Sequence, residues 1–445
     1  MRDIVFVISF AILIVYAFKR PYVSVSLWLW VGLFVPASWL YGFASSISFQ
    51  TILAIVTFFS YLIYKKNKVH VNFLLIMVML LYIHFTITSI YTIGIDEVVW
   101  LEWFKFSKTM LLMLFIVLIV RKKNHFNYIL MTFVLSLGAM GAIEGLKFIA
   151  SAGSHHIKGP DDNILSDNNH FALALDMILP LIIYLLCQYR NSKFKPLLII
   201  TFILSILAIL GTASRGGFIG LVCVAFFFFI SSKRKTIVII SVLIITAISS
   251  LFLTDKWYKR METIDSANKD SSFMIRVKSW KMYTLMAMEH PIVGAGFRMV
   301  EVGYVWRSVS QNFYKLSFID SPEPGEKGWA AHSIYFQVLG DHGFIGFSIF
   351  LLILVSSYLM LMNIMRKVKD IERLDWQYQL ARMLKLSLIV FSVAGAALSL
   401  PYAEIFWALI AIIISLDLSV RENIAEIKRG RTLRRKREFI NKGLV

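Results

Sequence analysis

Long apolar runs, each of roughly 16 to 23 residues and separated by short polar gaps, follow one another about thirteen times between Ile4 and Leu418. A water-soluble core cannot absorb so many, and with 58% hydrophobic and only 16% charged residues the soluble classes are excluded. Backbone groups in lipid must bond within their own segment, so the fold expected is all-α: a polytopic transmembrane helix bundle of about 12–13 spans. The first run, Ile4 to Phe18, is as short as a signal-peptide core. Arg2 is offset by Asp3, however, and Lys19-Arg20-Pro21 stands where a small-residue cleavage site belongs, so it reads as a retained first span.

Every second gap is basic: Lys19-Arg20, Lys65-Lys66, Arg121-Lys122-Lys123, Arg190 with Lys193 and Lys195, Lys233-Arg234-Lys235, Arg366-Lys367, and the tail from Arg421. Basic gaps stay in the cytoplasm, which puts the amino terminus outside and the carboxyl terminus inside. The net charge of +19 is therefore a topology and headgroup signal, and nucleic acid is not expected as a partner. Cys187 and Cys223 both fall in apolar runs, which argues against an extracellular disulfide framework or a cysteine nucleophile.

Four units follow: an N-terminal bundle over 1–254, a large and partly helical outer loop over 255–333, C-terminal transmembrane helices over 334–420 and a basic tail over 421–445. Within the loop, Met274 to Met288 reads as an amphipathic helix, with Ile275, Ser279, Met282 and Met286 in line.

The polar residues that topology does not explain gather on the outer side. In Thr212-Ala213-Ser214-Arg215-Gly216-Gly217, Ser214 can cap the following span, while Gly216 and Gly217 leave its first amides open to an anion. Arg215 adds a fork of donors suited to a lipid diphosphate; an interfacial arginine reaching for headgroups fits the same four residues. Arg276 lies one helical turn before Trp280, and His290-Pro291 with Gly294, Gly296 and Arg298 permits a tight turn that folds Arg276 or Arg298 back towards Arg215. For Arg298 a solvated loop charge is the alternative.

His332 precedes another very long apolar run, Ile334 to Met365, at the water–lipid boundary, and its imidazole suits proton removal from a hydroxyl; a hydrogen-bonded cap is the competing reading. Asp341 is placed to orient or charge-pair in the same site. Asn168 and Asn169, at the start of a further span, offer amides to sugar hydroxyls or simply cap the helix. Lys105 sits inside a span and needs a carboxylate, a water cavity or a phosphate; Glu102 is the nearest carboxylate, and Glu144 with Lys147 forms a similar helical pair. Asp161-Asp162 has turn composition with no second acidic cluster, so no metal is expected.

Taken together, Ser214-Arg215-Gly216-Gly217, Arg276 with Trp280, His290-Pro291 with Gly294 and Gly296, and His332-Ser333 with Gln337, Asp341, Gly343 and Gly346 resemble the O-antigen ligase and polymerase superfamily over essentially the whole chain. Met1-Arg2-Asp3-Ile4, Lys19-Arg20-Pro21 and Tyr41-Gly42-Phe43-Ala44 look like the branch called probable O-glycosylation ligases of exosortase A-associated systems. The resemblance implies a metal- and cofactor-independent inverting glycosyltransferase in a bacterial inner membrane with its active site facing the periplasm. Its donor would be a glycan on undecaprenyl diphosphate and its acceptor a hydroxyl of a protein, lipid or glycan. Arg215 and Arg276 would clamp the diphosphate, and His332 would take the acceptor's proton. A polymerase of the same superfamily, and a lipid-linked glycan transporter from a different class, are the competing readings; a transporter should carry its polar residues near the bilayer middle on paired broken helices.

Overall fold

The computed structural model describes residues 1–64, 70–160, 164–232, 234–252, 257 and 271–441, and among these there are helices and no strand. Ten helices come first: α1 (Arg2–Phe18), α2 (Pro21–Phe34), α3 (Phe49–Tyr64), α4 (Phe73–Ile90), α5 (Asp96–Ile119), α6 (Lys123–Ala150), α7 (Asn168–Gln188), α8 (Lys195–Gly211), α9 (Arg215–Ser231) and α10 (Lys235–Ser250). Next are α11 (Ser271–Glu289) and the short α12 (Gly303–Ser310), then α13 (Ile334–Val368), α14 (Asp375–Ala394) and α15 (Glu404–Asn441). Leaving out α11 and α12, each helix falls on one of the expected apolar runs. Among the described residues, five segments are long and apolar enough, by length and composition, to cross a membrane: Phe73–Ile90, Lys123–Ala150, Asn168–Gln188, Ile334–Val368 and Glu372–Ala397.

Local chemistry sets several ends. Asn72 caps α4 by accepting from the Leu75 amide at 2.9 Å, and Asp167 caps α7 through the amides of Asn169 and His170. Helix α2 stops at Phe34, although the chain stays apolar beyond it, because Val35 adopts a left-handed conformation (φ 47°) and Pro36 cannot continue the helix.

Two helices form the centre. Every residue of α7 from Phe171 to Ile182 is buried, and so is every residue of α15 from Ile405 to Val420. Helix α7 packs on α6, α8, α9 and α14, while α15 packs on α5, α13 and α14. Helices that are apolar all round are buried ones. At the edge, α1 exposes Ile4, Ile8 and Ile12 and α10 exposes Leu243, as helices facing lipid do.

Helix α13 departs from the continuous span expected from Ile334. It breaks at Gly343 (φ 67°, ψ −172°), a conformation essentially reserved for glycine. The 290–296 turn docks into the break. There Ala295 N–H donates to Gly340 O (3.0 Å), Gly296 N–H to Asp341 O (2.9 Å) and Phe344 N–H to Pro291 O (2.8 Å). The carbonyls and amide freed by the break are thus satisfied by the loop, which fixes α11 against the start of α13.

Candidate functional site

Helix α8 ends at Gly211, and the turn that follows is built by short polar side chains. Ala213 is left-handed (φ 50°), the Ser214 amide donates to Thr212 Oγ1 (3.2 Å), and Ser214 Oγ accepts from the Gly217 amide (3.1 Å) as the N-cap of α9. Asn168 supports the turn from below, its side-chain amide donating to Thr212 O at 2.8 Å. Gly217 lies so close to α7 that a Cβ there would come within 2.6 Å of Ala172 Cβ. These contacts aim Arg215, the first residue of α9, at the gap between α7 and α11.

The amphipathic segment forms α11, somewhat longer than expected, with Ser279, Met282, Tyr283 and Met286 buried on its inner face. Trp280 stacks on Phe336 of α13 with ring centroids 5.2 Å apart and planes 10° from parallel, holding the first turns of α11 over the bundle. Arg276, one turn earlier, reaches the same gap. A cleft of about 170 Å³ is lined by Asn169, Arg215, Gly216, Ser272, Arg276, Ala397 and Leu398. Two arginines sixty-one positions apart in sequence therefore share one small polar cavity beside the open amino end of α9.

His332 stands at the edge of that cleft. Its backbone N–H donates to Ser399 Oγ (2.8 Å), next in sequence to the cleft-lining Leu398, and its backbone is left-handed (φ 46°). Ser333 then caps α13 by accepting from Tyr335 N–H at 3.3 Å. Burial holds the His332 imidazole below its ordinary pKa, helped by the positive charges of Arg276 and His170 and countered by Asp167 and Glu301. The ring is thereby kept neutral and able to accept a proton.

Other candidates lie elsewhere. Arg298, left-handed at φ 57°, is committed to Glu301 through Nε (3.2 Å) and Nη2 (2.9 Å), an ion pair that raises its pKa, and it does not line the cleft. Asp341 is fully buried, accepting from the Tyr402 hydroxyl (2.8 Å) and the Gln337 amide (3.3 Å), and it does not line the cleft. Lys105 pairs with Glu102 (2.7 Å) and lines a different cavity of about 380 Å³, between α2, α3, α5 and α15, together with Lys108 and Glu404. Glu144 and Lys147 pair as their spacing suggests, at 2.6 Å. Asp161 and Asp162, weighed against a metal, lie outside the described residues.

Sequence reading missed Ser272, Ala397, Leu398 and Ser399, which have no charge or motif to announce them. Glu301 was missed too, although its spacing of three from Arg298 on a short helical turn is a signal for that pair.

The segment that holds Arg215, Arg276 and His332 is also the one that a known family describes: residues 200–351 match the family model for O-antigen ligase. That stretch is similar to an O-antigen ligase domain. Residues 1–190 match a second model, the family of unknown function DUF5935, and no curated protein matches the chain. The match supports a ligase- or polymerase-type, glycosyltransferase-like function for this helical membrane protein. Asn169, Ala397 and Leu398 lie outside the O-antigen ligase match, so the cleft borrows lining from both flanks of that domain.

Proposed function

We propose that the protein transfers a glycan en bloc from undecaprenyl diphosphate to an acceptor hydroxyl on the periplasmic side of a bacterial inner membrane, as an O-glycosylation ligase of the exosortase-associated type. The observation that carries this reading is the shared cleft of Arg215 and Arg276 with His332 held at its edge by Ser399. In the reaction the acceptor oxygen attacks the anomeric carbon while its proton passes to the His332 imidazole. The bond from that carbon to the diphosphate oxygen breaks, its electron pair leaves with the diphosphate, and the anomeric configuration inverts. Charge gathers on the leaving group, where two guanidinium forks and the first amides of α9 stabilise it without a metal. Asn169 and Ser272 offer hydrogen bonds to the glycan or the phosphates, and Asn168 and Ser214 hold the turn that carries Arg215.

The test is purified protein in vesicles with a glycan-charged undecaprenyl diphosphate donor, following release of undecaprenyl diphosphate. Arg215→Ala, Arg276→Ala and His332→Ala are each expected to lower transfer by roughly a hundredfold or more at matched folded protein. Arg215→Lys should also be impaired, since a point charge cannot replace the bidentate fork. Most of the activity surviving in all three alanine variants, or glycan crossing the vesicle without diphosphate release, would end this reading.

A further inference from the structure

A second charged cavity lies at the opposite end of the bundle. Helix α14 has 20 residues, which at 1.5 Å each is about 30 Å, the thickness of a bilayer's hydrocarbon core. The chain just beyond its carboxyl end supplies Ala397 and Leu398 to the arginine cleft, whereas Trp376 at its amino end lines a cavity of about 690 Å³. The two cavities are therefore one membrane thickness apart.

Four cationic side chains line this second cavity, Arg121, Lys122, Lys123 and Arg373, against two carboxylates, Glu422 and Glu426. Both carboxylates are already engaged. Glu422 lies 3.4 Å from Arg121 Nε, and Glu426 lies 4.0 Å from Arg373 where both side chains are largely exposed. Lys122 and Lys123 form no ion pair among the described residues. Arg121 itself is buried at 5% side-chain exposure; it donates to the carbonyls of Val117 and Val120, but its Nε forms no hydrogen bond among the described residues. The 3.4 Å separation from Glu422 is an ion pair without hydrogen-bond geometry, so a buried donor remains to be satisfied.

Two further features fit an anion. Helix α6 begins at this cavity with Lys122 as its N-cap, and no side chain caps it, so its first amides and the positive end of its dipole point the same way as the lysines. Tyr22, Tyr64 and Trp376 also line the cavity, and amphipathic rings of this kind collect where headgroups meet acyl chains. A phosphate held between basic helix ends and aromatic rings at a membrane boundary is the chemistry of a phospholipid headgroup rather than of a soluble ion.

We infer that this cavity binds the headgroup of an anionic glycerophospholipid, in the leaflet opposite the arginine cleft, through Lys122, Lys123, Arg121 and the amino end of α6. The site stands apart from the transfer reaction. Its occupant ties the amino ends of α6 and α14 to α15, and thus braces the two helices flanking the Ala397–Ser399 segment that seats His332.

The experiment is native mass spectrometry of the full chain, delipidated in detergent and then given phosphatidylglycerol or phosphatidylcholine. The wild type is expected to retain phosphatidylglycerol preferentially. Lys122→Gln with Lys123→Gln should reduce that retention by roughly thirtyfold, about fivefold for each lysine. Both lysines are exposed, so folding is not at stake, and Arg373→Gln gives an independent smaller loss. Lys193→Gln with Lys195→Gln, which removes two lysines that do not line this cavity, should retain the lipid as wild type does. Equal retention by the Lys122/Lys123 variant, equal retention of phosphatidylcholine, or displacement of the lipid by excess inorganic phosphate would each overturn the inference, the last by assigning the site to a soluble anion.

Discussion

Replacing Gly343 by alanine tests how the helix break positions the site. The residue sits at φ 67° and ψ −172°, where a side chain costs about 1–3 kcal/mol before any contact is considered. A Cβ at this position would also come within 2.6 Å of Pro291 O and 2.8 Å of Ile292 C, backbone atoms that cannot swing aside as a flexible side chain can. The alternative is to straighten α13, which strands the buried amides of Ala295 and Gly296 now bonded to Gly340 O and Asp341 O. Leaving a buried donor unsatisfied costs about 1–3 kcal/mol each, so neither route is cheaper than about 2–3 kcal/mol. Thermal unfolding in detergent, followed by tryptophan fluorescence, should show a midpoint lowered by roughly 2–3 °C, the unfolding entropy of a 445-residue chain being large. Transfer should fall with it, because the displaced half-helix carries His332 at its head. Gly303→Ala is the control, since its Cβ would meet only Glu326 O at an ordinary 3.6 Å. A Gly343→Ala protein with a wild-type midpoint and wild-type transfer would refute the argument that the break, and the turn docked into it, holds the site.

Two further outcomes follow from the cleft. His332 must be neutral to accept a proton, and its pKa lies below the ordinary 6.5, so transfer should be flat through neutral pH and decline only as pH falls through that lowered value. A pH–rate profile whose acid limb lies above pH 7 would contradict the assignment. Ser214→Ala removes the cap of α9, at about 1 kcal/mol, and Asn168→Ala removes the support of Thr212 O; both are expected to raise the KM for donor more than they lower kcat, measured in the same vesicle assay.

The amino-acid sequence was sufficient for the helices and their approximate limits, because a bilayer leaves the backbone few choices and apolar length is then a direct measure of a span. It was also sufficient for Arg215, Arg276 and His332 as residues needing explanation, since charge and imidazole beside apolar runs are costly and conspicuous. Helix length alone could not show that α13 breaks: Gly343 is one glycine among several in Gly340–Gly346, and only the 290–296 turn, some fifty positions earlier, makes a positive φ there worthwhile.

Convergence was decided by tertiary structure. Arg298 and Asp341 stood beside Arg276 as binding candidates, and packing turned one towards Glu301 and the other into a buried network with Tyr402 and Gln337. Ser399 and Leu398, uncharged and in no motif, became neighbours of His332 because α14 ends there and its chain turns back into α15. A one-dimensional pattern reports what each residue costs to bury or expose; which costly residues meet depends on the angles at which whole helices pack, and those belong to no single segment.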